Sequence, residues 1–184
     1  MIDTSGWSKD LLFNKIMGHQ LKGIMIHNDL ANLSGFYGLH NFQKWHMCRV
    51  QEETEDHLKT QSHYILYHEK MPVPDKPSIP SLIPHEAYSK RTREMTGDMR
   101  KKFVYEMMEK WKSWEEETIE LHMAAVQFLE KYQCYDVFFF KKMLKDTYCE
   151  YKEVVKCMEK LRSQGHDIEE YDYEESKEKK HHSY

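Results

Sequence analysis

The chain reads as all-α, a four-helix bundle with one long crossover between its second and third helices. Three observations predict this. Apolar residues recur at alternating three- and four-residue spacing over four long stretches. All five prolines, Pro72, Pro74, Pro77, Pro80 and Pro84, fall in one segment between the second and third stretches. Carboxylates collect at the midpoints of those same two stretches, as Glu52-Glu53-Thr54-Glu55-Asp56-His57 and as Glu115-Glu116-Glu117. Long helices with acidic midpoints, joined by one long connection, are a way in which helical bundles build metal sites.

The first helix is expected from Ser8, a suitable N-cap, to about Ser34, with Leu12, Ile16, His19, Gly23, Ile26, Leu30 and Leu33 as its buried stripe. Gly18 and Gly23 each cost this helix up to ~1 kcal/mol relative to alanine, a cost tolerated where another backbone packs close. Ser34-Gly35-Phe36-Tyr37-Gly38 reads as a short turn to an antiparallel neighbour. The second helix, about Leu39 to His68, carries Leu39, Phe42, His46, Val50, Glu53, His57, Gln61 and Tyr64. That stripe turns polar in its middle, where an unpaired buried charge would be heavily penalised. Residues 69–97 form the crossover, long enough to join parallel helices, with a short helix expected near His85 to Thr96.

The third helix, about Asp98 to Tyr132, faces inward with Val104, Met107, Trp111, Trp114, Thr118, Leu121, Ala125, Phe128 and Tyr132. Glu117 is placed on the same stripe. Asp136 is expected to cap the fourth helix, whose stripe is Val137, Phe140, Leu144, Tyr148, Tyr151, Val155, Met158 and Leu161, and Gly165 to stop it. Residues 1–165 are thus one bundle domain, and 166–184 a charged, mobile tail.

Composition narrows the function. With 184 residues, 32% of them charged and 13% aromatic, the chain is too aromatic for disorder and too charged for a membrane protein. No apolar run reaches the ~20 residues of a transmembrane helix, and no secretory signal opens the chain. Cys48, Cys134, Cys149 and Cys157 form no C-x-x-C pair and read as reduced thiols of a cytoplasmic protein. The net charge of −4 argues against nucleic acid as a partner, and the basic run Lys90 to Lys102 reads as a solvated surface. There is no G-x-S-x-G, no glycine-rich phosphate loop and no H-E-x-x-H.

Asn41-Phe42-Gln43-Lys44-Trp45, running on to Gln51-Glu52-Glu53-Thr54-Glu55-Asp56-His57, resembles the second helix of the ferritin family. There an aromatic-rich start leads to a Glu-Glu pair and a histidine three residues after the second Glu. Asp136 before a phenylalanine-rich helix start is similar to the ferritin join between third and fourth helices. The resemblance covers most of residues 8–165 and implies a ferritin-like bundle that binds iron, stores it and oxidises Fe(II), as a homo-oligomer. It implies ligands at Gln20 on the first helix, Glu53 and Asp56 on the second, Glu117 on the third and a position near Glu150 on the fourth. His57 is one residue out of register, and Gln20 lacks the charge the family has there.

Hard oxygen donors with imidazole suit iron or manganese. A dinuclear iron centre needs about four anionic oxygens, so Gln20 weakens the case for two metals, unless His19 or His27 substitutes. Glu53 and Glu117 are therefore expected to be buried and to meet across the bundle, holding a single metal that oxidises iron weakly. Glu52, Glu55, Glu115 and Glu116 can equally form a solvated face, and Glu53 and Glu117 can instead join His57, His46 or Arg49 in an ion-pair network. The alternative function is then a metal-free scaffold serving as a structural or interaction subunit.

Overall fold

The computed structural model describes residues 2–77, 97–132 and 134–163. Four helices occupy them: α1 (Lys9–Phe36), α2 (His40–His68), α3 (Gly97–Glu130) and α4 (Asp136–Ser163). The expected short helix near 85–96, the stop at Gly165 and the tail lie outside the described residues. No described helix is long and apolar enough to cross a membrane, and none of the four cysteines is in a disulfide.

Ser8 starts α1 as expected, its hydroxyl accepting from the Leu11 N–H at 3.1 Å. The turn into α2 closes through Leu39 N–H to the Ser34 carbonyl at 2.9 Å. It passes through Gly38 at φ 76°, a conformation that disfavours a side chain. At the far end Glu69 takes the left-handed conformation and stops α2.

Side-chain pairs give the helix directions. Gln20 meets Thr60 and His27 meets His46, so α1 and α2 are antiparallel. His19 meets Thr118 and Ser34 meets Met107, so α1 and α3 are antiparallel as well. The second and third helices therefore point the same way. Thr147 meets His122 and Tyr151 meets Glu116, which sets α4 antiparallel to α3. The route from α2 to α3 passes through residues 78–96, outside the described residues.

Two apolar clusters fill the two halves of the bundle. One is built around Leu30, Phe42, Trp45, Met107, Trp111 and Met158, the other around Leu12, Phe13, Tyr64, Leu121, Phe128 and Phe140. Full burial of each such side chain is worth ~1.5–3 kcal/mol. Between the clusters lies a layer of different character, formed by Gln20, Thr60, Glu115, Thr118, His122 and Thr147, all buried. That polar midsection is where the candidate site lies.

Candidate metal centre

On each helix the polar layer continues the buried stripe rather than breaking it. In α3 the stripe runs Trp111, Glu115, Thr118, His122, Ala125, Leu129, alternating four and three residues. In α4 it runs Phe140, Met143, Thr147, Glu150, Val154, Cys157, with Glu150 half-buried. The α4 stripe is thus rotated from the expected one: Tyr148 is exposed, and Leu144, Tyr151 and Val155 are half-buried. Tyr132, expected inside, is exposed.

The expectation for Glu117 is corrected. Its side chain is exposed and pairs with Lys22 at 2.8 Å, while Glu115 is 1% exposed. The reason is angular. At ~100° per residue, Glu117 lies one step around the helix from Thr118, the middle of the buried face. Glu115, three residues back, lies only ~60° from it. The chance to see this in the sequence was there, because 111, 115, 118, 122 and 125 keep the helical alternation.

Glu115 is held on one side only. Trp111 Nε1 donates to its Oε1 at 2.7 Å, and Oε2 is buried with no hydrogen-bond partner. Glu53, half-buried, accepts from Trp114 Nε1 at 3.2 Å. Burial pushes Glu53 well above the ordinary carboxylate range, and the charges of Glu115 and Glu150 push the same way. Burial and the charge of Glu150 raise Glu115 to about 8. Burial raises Glu150 to about 7 even though Arg49 beside it pulls down. Glu53, Glu115 and Glu150, from three helices, therefore feel one another and resist ionising together.

Arg49 is the cation among them. Its guanidinium is mostly buried and donates to Glu150 at 3.1 Å, to Glu52 at 2.7 Å and to Glu153. It also lies over the Trp111 ring at 5.4 Å. One turn further toward the Phe42 end, His27 and His46 are fully buried with their Nδ1 atoms 3.1 Å apart. One of these nitrogens carries the hydrogen and the other accepts it. Burial, with His46 and Arg49 as neighbours, holds His27 neutral, well below its ordinary value.

The remaining expected ligands stand apart from this group. Gln20 is buried, but its Nε2 donates to Thr60 Oγ1 at 3.0 Å and its Oε1 has no partner. The α1 residue against Glu53 is instead Gly23, where an added Cβ would lie 2.9 Å from Glu53 Oε2 and 2.6 Å from the Trp114 ring. Asp56 pairs with Lys59 at 2.8 Å. Burial holds half-buried His57 below its ordinary value, and its Nδ1 has no partner. His19 stacks on Trp114 at 3.8 Å and reaches Thr118 Oγ1 at 2.8 Å. Among the described residues, no three His, Cys, Asp or Glu side chains are already gathered as a metal's shell. Compared with models of known protein families and with curated proteins, the sequence matches none.

Proposed function

We propose that the polar layer takes up one divalent cation, with ferrous iron as the cargo, and that the chain is a ferritin-like metal-handling bundle. The observation that carries this reading is Glu115 Oε2, a buried carboxylate oxygen with no partner, charge-coupled to Glu53 and Glu150. Carboxylate oxygens suit manganese, magnesium and calcium, and carboxylate sites in helical-bundle cores hold iron or manganese.

The parallel sense of α2 and α3 supports a long crossover through 69–97, the connection of a ferritin-like bundle. Such bundles carry a glutamate on the first helix. Here Gly23 faces Glu53 and leaves no room for one, which limits the site to one metal and makes oxidation of iron slow. Homo-oligomeric assembly rests only on the resemblance, and a cytoplasmic location only on reading the four cysteines as reduced thiols.

A second reading is favoured by the Arg49 network itself. A guanidinium holding Glu52, Glu150 and Glu153 is also what a structural ion-pair cluster in a metal-free scaffold would contain. Anaerobic calorimetric titration of the metal-free chain with Fe(II) separates the two. One equivalent is expected, with protons released as Glu53 and Glu115 ionise, and Glu115→Gln should abolish it while the chain stays helical. Two equivalents would overturn the single-ion site, and none would leave the scaffold.

A further inference from the structure

A cavity of about 410 Å³ opens beside α1, and none of Glu53, Glu115 and Glu150 lines it. Gly18, His19, Trp7, Leu121, Lys22 and Lys76 are among the residues that line it. One wall is the segment after α2, pinned to α1 by Asn14. The Asn14 side-chain oxygen accepts from Val73 N–H at 3.0 Å, and its carbonyl accepts from Asp75 N–H at 3.1 Å. The two backbones approach so closely that a Cβ added at Gly18 would lie 2.6 Å from the Asp75 carbonyl oxygen. This is the backbone contact that explains the glycine, and it fixes the wall.

The chemistry of the lining selects a ligand. Three lysines, Lys15, Lys22 and Lys76, face two aspartates, Asp3 and Asp75, so the lining carries +3 − 2 = +1. Lys15 pairs with Asp75 at 3.9 Å and Lys22 with Glu117 at 2.8 Å, whereas Lys76 has no ion pair among the described residues. Asp3 already accepts from Ser5 N–H at 2.9 Å. The His19 tautomer also follows from its neighbours. Thr118 gives its hydroxyl hydrogen to the Trp114 carbonyl at 2.8 Å, so its oxygen accepts from His19 Nε2–H, leaving Nδ1 as an acceptor. Burial holds that ring neutral, down to about 3.

We infer that this cavity binds a small aromatic monocarboxylate bearing a hydroxyl, its carboxylate on Lys76, its ring against Trp7 and Leu121, and its hydroxyl donating to His19 Nδ1. Four apolar residues, Ile2, Trp7, Pro77 and Leu121, line it beside five charged ones, and its volume accommodates a small ligand. The inference is independent of the metal reading.

The probe is 4-hydroxybenzoate, titrated into the full chain and followed by tryptophan fluorescence and ligand-observed NMR. Saturable binding at millimolar concentration or tighter is expected. The neutral 4-hydroxybenzamide should bind at least ~10-fold more weakly, as should 4-hydroxybenzoate to Lys76→Met, for loss of one charged contact. Gly18→Ala, which drives the wall away, should lose binding while the circular dichroism stays helical. His19→Phe keeps a ring against Trp114 and should erase the preference for 4-hydroxybenzoate over benzoate. No saturable binding, or equal binding of acid and amide, would overturn the inference. Unchanged affinity in both Lys76→Met and Gly18→Ala would do the same.

Discussion

At the scale of single residues, position on the helix decided which carboxylate entered the core. Glu115 and Glu117 are two residues apart, and one is enclosed while the other meets Lys22 in solvent. Glu117→Gln should accordingly leave Fe(II) stoichiometry unchanged, and thermal stability within ~0.5 kcal/mol, because exposed pairs contribute little. A loss of binding in that variant, read by the same calorimetric titration, would return the role to Glu117. Gln20 supplies the opposite case. It bonds Thr60 rather than facing Glu53, so Gln20→Glu adds an unpaired buried charge instead of a ligand. It should cost about 3 kcal/mol in denaturant unfolding and add no second equivalent of iron.

At the scale of helices, Asp136 does more than begin α4. Its carboxylate accepts from His63 Nε2 at 2.9 Å, from His68 Nε2 at 3.3 Å and from Lys9 Nζ at 3.2 Å, joining the end of α2 and the start of α1 to α4. Burial opposes its charge, but bonds from His63, Cys134 and Lys9 hold it well below the usual carboxylate range. A depressed carboxylate contributes stability above its unfolded value near ~4 and loses it as pH falls further. Asp136→Asn should lower stability by about 2–4 kcal/mol at neutral pH, with the difference shrinking below pH ~4. Lys9→Met, whose side chain is 30% exposed, should cost less than ~1 kcal/mol. Equal losses in thermal melts of the two variants would contradict this ranking.

At the scale of the whole molecule, two apolar clusters are held apart by a layer whose charges titrate in opposing senses. His19 and His122 are kept neutral by burial, down to about 3 and about 4. Against an unfolded value near ~6.5, they cost stability as pH falls below it. Glu150 and Glu115, raised to about 7 and about 8, favour the fold below ~4.5 and lose that contribution as pH rises through those values. Above pH ~6.5 only the carboxylates still act. Stability of the metal-free protein should therefore fall between pH 6.5 and 8. A saturating divalent cation should flatten that fall, because it stabilises the ionised form. Chemical denaturation across this range, with and without Mn(II), measures both slopes. A metal-free protein that gains stability from pH 6.5 to 8 would contradict the assignment.

Four helices, their bounds to within two or three residues, the Ser8 cap and a polar interruption of the core were all legible in the sequence. Each of these rests on local physics: periodicity, capping and the clustering of prolines act within one segment of chain. Glu53 was legible because it lies on an otherwise apolar stripe. What the layer contains was not. Among three consecutive glutamates, periodicity alone leaves an uncertainty of about one residue in the facing direction, and packing against α2 and α4 resolved it toward Glu115. The pairing of Arg49 with Glu150 and Glu153 joins residues more than a hundred positions apart. The same holds for Gly23, whose missing side chain makes room for Glu53 and Trp114 from two other helices. Which residues line the interior was written in the chain one helix at a time. Which of them meet depends on how the four helices are rotated about their axes, and only their mutual packing sets that rotation.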